Sequence, residues 1–166
     1  IARMEQIVAH QLSRSIVVGR KSMAQPVAVL PVVKRLADAL KKVYFERGIE
    51  FSVEIADDEV FHGDESDLME VLGNVMDNAC KYGRGRVSIS AHTMASRRCC
   101  ICIEDNGGGI DAADIPVVMQ RGVRADTQIS GQGIGLAVVA EIVDLYDGRI
   151  TISQGSLGGA QLELIF

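Results

Sequence analysis

The stretch from Asp64 to Tyr82 limits the possible folds more than any other, because it reads as a helix with two incompatible faces. At about 100° per residue, Glu70, Asn74, Asp77, Asn78 and Lys81 fall within an arc of roughly 100°. Val71, Leu72, Val75, Met76, Ala79 and Cys80 take the other side. The apolar side demands a core to pack on. The polar side is not an ordinary solvated face, since such faces carry Lys and Glu, whereas asparagines four residues apart are poor helix formers. Amides bring donors and acceptors together, and with Glu70 they can hold a hard cation through oxygens or its waters. Lys81, a turn beyond Asn78, is placed to meet a phosphate. Asp64, with Asp67 three residues on, suggests the N-cap and a carboxylate in the positive first turn.

The segments around this helix supply the core. Val27-Ala28-Val29 reads as a short strand, followed by a helix from Pro31 toward Glu46 that Gly48 stops. Residues 49–55 alternate apolar and polar, the strand period. A short strand at Val60-Phe61 sits in a turn before Asp64, and the helix ends at Gly83. Strands are expected at Arg86–His92 and Cys99–Glu104, a weak helix at Ala112–Met119, a last helix at Ile134–Tyr146, and strands at Arg149–Ser153 and Ala160–Phe166. The expected fold class is α/β: a two-layer sandwich with a mixed, mostly antiparallel sheet of about five strands packed against three helices.

Upstream, Ile1, Met4, Val8, Leu12 and Ile16 show the seam of an amphipathic helix over residues 1–19, with a polar linker at 20–25 and one domain from 26 to 166. The chain opens in mid-helix on Ile1, so a piece of something longer is expected. At 166 residues, 48% hydrophobic and 23% charged, it has the make-up of a folded domain rather than a disordered or rod-like chain. Seventeen basic against 22 acidic residues leave a net charge of −5, which argues against nucleic acid as a partner. No apolar run approaches the ~18 to 20 residues of a membrane span. Cys99, Cys100 and Cys102 crowd an apolar strand without C-x-x-C spacing, so they and Cys80 read as buried, reduced thiols rather than a zinc site.

Two glycine-bearing segments complete the chemistry. Asp105-Asn106-Gly107-Gly108-Gly109-Ile110 begins where an apolar strand runs out, so a carboxylate and glycine amides meet there. That pairing suits the exocyclic amine of a flat ring, while a plain glycine turn would leave the carboxylate unexplained. Gly131-Gln132-Gly133-Ile134-Gly135-Leu136 opens the last helix, where close backbone approach and free N–H groups suit a phosphate. It is not a dinucleotide fingerprint, because no strand precedes it directly and the spacing is G-x-G-x-G. Between the two, residues 120–130 are polar and carry Arg121 and Arg124, the pattern of a lid bringing positive charge over phosphates.

In this order the three segments resemble the ATP-binding module shared by sensor histidine kinases, Hsp90 chaperones, DNA gyrase B and MutL, the GHKL or Bergerat-fold superfamily. Glu70 to Tyr82 resembles its N box. Asp105-x-Gly107-x-Gly109 and Gly131-x-Gly133-x-Gly135-Leu136 resemble its two glycine boxes. Asp77-Asn78-Ala79-Cys80-Lys81-Tyr82, Arg121-Gly122-Val123-Arg124 and Gly158-Gly159-Ala160 look most like PhoQ-type sensor kinases. The resemblance implies ATP and Mg²⁺ as ligands, with Asn74 on the metal and Asn78 supporting metal and phosphates. It further implies Lys81 on the phosphates, Tyr82 along the adenine or ribose, and Asp105 accepting from the adenine amine. Gly107, Gly109, Ile110, Gly131, Gly133, Gly135 and Leu136 would shape the pocket, Gln132 would sit in the lid hinge, and Arg121 and Arg124 would serve the lid. Glu70 occupies the position that activates water in ATPase members and would help orient the metal shell in a kinase.

The resemblance also implies a dimeric parent, cytoplasmic at this domain and anchored in a bacterial inner membrane, that phosphorylates its own hairpin histidine for relay to a response regulator. Residues 1–19 would be the end of that hairpin. A phosphoacceptor signature is missing: His10 is followed by Gln11-Leu12-Ser13-Arg14, and His62 and His92 fall in strand-like stretches, so the acceptor is expected outside this chain. Val117-Val118-Met119 stands where many relatives carry phenylalanine. An anti-sigma-type serine kinase or an ATPase clamp would use the same boxes, and a nucleotide-gated interaction module without catalysis is the alternative from another class.

Overall fold

The computed structural model describes residues 25–113, 115 and 135–166. The expected hairpin helix at 1–19, all of the 20–25 linker except Gln25, most of the weak helix at 112–119 and the whole of 120–130 lie outside the described residues. Among those described, three α-helices cover one face of a five-stranded sheet, and a two-stranded ribbon closes one end.

The ribbon pairs β1 (Val27–Ala28) with β3 (Val60–Phe61) antiparallel. Helix α1 (Val29–Val43) follows β1 without a break, so Val29 is helical rather than the end of a strand. Its N–H bonds the Glu59 carbonyl at 3.0 Å, outside the helix, which lets the first turn start there. Pro31 is tolerated inside that turn because its missing N–H would have no intrahelical partner. Val29, Val32, Val33, Ala37 and Leu40 face inward at helical spacing. The helix ends at Val43, short of Glu46, which lies in a separate 3₁₀ turn (Phe45–Arg47) closed by Gly48 at φ 59°.

Strand β2 (Glu50–Ile55) leads through β3 to α2 (Glu65–Tyr82). Asp64 caps α2 as expected, its side chain accepting from the Ser66 N–H at 2.8 Å. Strands β4 (Arg86–Thr93) and β5 (Cys99–Asp105) come next, then α3 (Gly135–Leu145), β6 (Arg149–Gln154) and β7 (Ala160–Ile165). The sheet runs β2-β4-β5-β7-β6, parallel only between β2 and β4, where α2 lies in the crossover connection.

Register places Ile89, Ile101, Ile103, Leu162 and Leu164 on the helix-facing side, opposed as Ile89 to Ile103, Ile101 to Leu164 and Ile103 to Leu162. Alternation then carries Asp105 to that same side, beneath α2. Helix α2 is the centre of the layer, with α1 and α3 beside it and β4 and β5 below. Cys80, Cys99 and Cys100 are buried, Cys102 is half-buried, and all four are free thiols. Burial pushes Cys80 and Cys99 up to about 12 and Cys102 up to about 11, which keeps them protonated and inert.

Tyr146, just past α3, is the largest fully buried side chain. It stacks in a cluster with Phe61 and Phe166, ring centroids 5.1 and 6.2 Å away. Its hydroxyl donates to Asp67 Oδ2 at 2.6 Å and accepts from the Asp64 N–H at 3.1 Å. One phenol thus clamps the end of α3 to the first turn of α2. Tyr146→Phe removes a donor from a carboxylate and an acceptor from a capping N–H, and should lower the unfolding free energy by about 1 to 3 kcal/mol. Urea unfolding with an unchanged m-value would show it.

Candidate functional site

The carboxylate of Asp105, only 5% exposed, is the deepest charged group of the site. It accepts from the Gly107 N–H at 2.7 Å and from the Ala160 N–H. Three backbones press on it. A Cβ at Gly159 would run into Asp105 Oδ1, its carbonyl oxygen and Gly107 N; one at Gly83 would lie 3.2 Å from Asp105 Cβ; one at Gly107 would strike the Tyr82 carbonyl. Only a chain without side chains at these points lets the end of α2, the first glycine segment and the β6–β7 turn converge. Burial raises the Asp105 pKa above its ordinary 3.8, opposed by the Gly107 and Ala160 N–H groups.

Asn106 holds the neighbouring loop. Its Oδ1 accepts from the N–H groups of Arg84 and Arg86 at 2.8 and 3.0 Å. On β5, Glu104 accepts from the Leu157 N–H and from Ser156 Oγ, fixing the β6–β7 turn whose Gly159 N–H in turn reaches the Asp105 carbonyl at 3.2 Å. Neither Glu104 nor Gly159 was singled out as a site residue in the sequence. The alternation of β5 was the available signal, since a charge one residue before Asp105 must occupy the opposite face.

On α2, Glu70 and Tyr82 are exposed, while Asn74, Asn78 and Lys81 are half-buried. Asn74 donates through Nδ2 to the Glu70 carbonyl at 2.8 Å, which leaves Oδ1 as the acceptor of the amide. A Cβ added at Gly135 would lie 2.9 Å from that oxygen. The first turn of α3 therefore sits against Asn74, bringing the end of the second glycine segment to the N-box face. Ile110 and Leu136 are half-buried and pack on the core, and Gly109 takes a φ of 78°. Lys81 pairs with Asp77 Oδ2 at 2.5 Å. The structure thus sets Asp105 and Gly107 against the end of α2 and Gly135 against Asn74, on a helix whose Glu70, Asn74, Asn78 and Lys81 share one face. Arg121, Arg124, Gly131, Gln132 and Gly133 lie outside the described residues, as does His10; His62 and His92 are exposed.

This arrangement of an amide-bearing helix, a buried strand-end carboxylate and a glycine-led helix matches a known class. Residues 63–166 fit the family described as "Histidine kinase-, DNA gyrase B-, and HSP90-like ATPase", and the chain belongs to that family of ATP-binding domains. Along its whole length it is 40% identical, over 167 residues, to "Sensor protein PhoQ" of Escherichia coli K12, of which it covers 34%. It thus spans about a third of the curated relatives it matches. Among solved structures, "Mycobacterial sensor histidine kinase MprB" superposes with a TM-score of 0.76 at 26% identity, covering 86% of this chain and 95% of that one. Full-length ShkA in complex with AMPPNP shares the fold, with a TM-score of 0.74 at 22% identity over 98% of this chain and 35% of that one. No helix among the described residues is long and apolar enough to cross a membrane.

The raised Asp105 pKa fixes the sign of a pH effect. Folding favours the neutral acid, so the stability it contributes is present below 3.8 and is lost as pH rises through the raised value. Asp105→Asn keeps an oxygen for the same N–H donors and cannot ionise. The variant should be the more stable protein near neutral pH, with the gap closing as pH falls to 3.8 and below. Thermal unfolding of both proteins across that range tests it.

Proposed function

We propose that the chain is the ATP-binding catalytic domain of a bacterial two-component sensor histidine kinase, which binds Mg²⁺-ATP and passes the γ-phosphoryl group to a histidine on a helical hairpin for relay to a response-regulator aspartate. The observation that carries this reading is the Asp105 carboxylate, buried at a strand end and walled by glycine backbones, with the start of α3 against Asn74. An alignment over the whole chain, 40% identical, to a named sensor protein supports the kinase branch of the family.

A carboxylate in a low-dielectric floor costs free energy unless a ligand uses it. Asp105 accepts from the adenine amine, and the Gly107 and Gly159 backbones, packed against the carboxylate, hold it in place for that contact. The N-terminal turn of α3, with Gly131, Gln132, Gly133 and Gly135, offers N–H groups to the phosphates. Lys81 with Arg121 and Arg124 neutralises their charge, and Tyr82 lines the adenine or ribose side. The donor set on α2 fits a hard cation: Asn74 presents Oδ1, Asn78 lies one turn on, and the Glu70 carboxylate is exposed beside them. Asn74 and Asn78 would hold Mg²⁺, which when bound supplies charge neutralisation across the phosphate oxygens. Catalysis by the chain is then positioning, with little bond chemistry for its side chains to perform.

Calorimetry with ATP and ADP, with and without Mg²⁺, tests the pocket on wild type and Asp105→Asn. The variant should lose about 1 to 3 kcal/mol of binding, about 5- to 150-fold in affinity. A folded wild type that binds no nucleotide would sink the reading. The 166-residue chain alone should form no phosphohistidine with labelled ATP, whereas supplying the hairpin in trans should yield it on the hairpin. Binding without any transfer to the hairpin would instead favour a nucleotide-gated interaction module.

A further inference from the structure

The connection between α1 and β2 reaches into the site from a side that none of the three boxes marks. Tyr44, half-buried just past α1, donates its hydroxyl to Asp77 Oδ1 at 2.7 Å. The other oxygen of Asp77 receives Lys81 Nζ at 2.5 Å. Arg47, from the same connection, donates to the Lys81 carbonyl at 2.8 Å and the Gly83 carbonyl at 2.9 Å. Both the side chain and the backbone of Lys81 are therefore held by one short segment.

An Asp and Lys four residues apart on an open helix form a loose, weakly stabilising pair. Here the carboxylate is pinned by a hydroxyl from another element, and the Asp77 and Lys81 side chains are only 32% and 27% exposed. The lysine stem is long and rotamer-rich, and its ammonium has three donors, of which the carboxylate takes one. The pinned carboxylate restricts where the remaining donors point. Burial and Asp77 push the Tyr44 phenol well above its ordinary range, so it stays a donor at any working pH.

Resting on the nucleotide-pocket reading above, we infer that Tyr44 and Asp77 form a positioning pair that aims the Lys81 ammonium at the phosphates of the nucleotide. Asp77 faces the lysine and the phenol rather than a metal, since both its oxygens take O–H or N–H donors.

The test compares ATP with adenosine by calorimetry on the full chain. Tyr44→Phe leaves every charge in place and should weaken ATP about three- to tenfold, the scale of one hydrogen bond, while adenosine is unaffected. In a Lys81→Met background the same change should have no effect on ATP. Asp77→Glu keeps the charge but lengthens the stem, and should give the same phosphate-specific loss should Tyr44→Phe fold poorly. Equal losses for ATP and adenosine, an undiminished Tyr44→Phe effect without Lys81, or no ATP loss in either variant would each overturn the inference. ATP binding that ignores Lys81→Met would overturn the positioning role and leave the pocket standing. A folded wild type that binds neither ligand would overturn both.

Discussion

A single buried carboxylate governs how the pieces of this domain must meet. Asp105 can sit beneath α2 only because Gly83, Gly107 and Gly159 have no side chains, and because the Gly107 and Ala160 N–H groups donate to its carboxylate. Those contacts draw on the end of α2, the loop after β5 and the turn before β7, three places far apart in sequence. Side-chain bulk at any of them would separate elements that the hydrophobic core alone would still allow to pack. The core supplies compaction, and the carboxylate supplies the terms on which the surface around it closes.

Much of this architecture was legible in the sequence because it rests on periodicity. The two-faced helix from Asp64, its cap, the strands either side and the placement of Asp105 at a strand end all follow from patterns of period 3.6 and 2. The boundaries of α1 were less legible. Val29 looked like strand continuation, yet an external acceptor at Glu59 lets the helix begin there, and the end near Glu46 proved to be a separate 3₁₀ turn. Both depend on hydrogen bonds that a linear pattern does not record.

The residues of the candidate site and its supports divide the same way. Those on α2 and in the glycine segments declare themselves by residue type, because asparagines on a helix and glycines beside a carboxylate are poor choices for stability alone. Tyr44, Glu104, Gly159 and Tyr146 do not. Each acts through a partner 33 or more residues away, as in Tyr44 to Asp77 and Tyr146 to Asp67, or, as with Glu104 and the β6–β7 turn, through loop backbone whose position only the sheet register reveals. A phenol at the end of a helix reads as packing until its partner is known. Arg121, Arg124, Gly131 and Gly133 rest on the sequence pattern.

The order of these parts along the chain has a consequence for synthesis. All three glycine and asparagine boxes are complete once the ribosome has passed Leu136. The seat of Asp105 is not, because Gly159 and Ala160 have yet to emerge and β5 still lacks its partner β7. A nascent chain halted at Leu157 would carry the N box and both glycine boxes, yet the backbone that closes over Asp105 would still be missing. The seat is therefore a property of the finished fold, and it distinguishes completed copies from arrested ones.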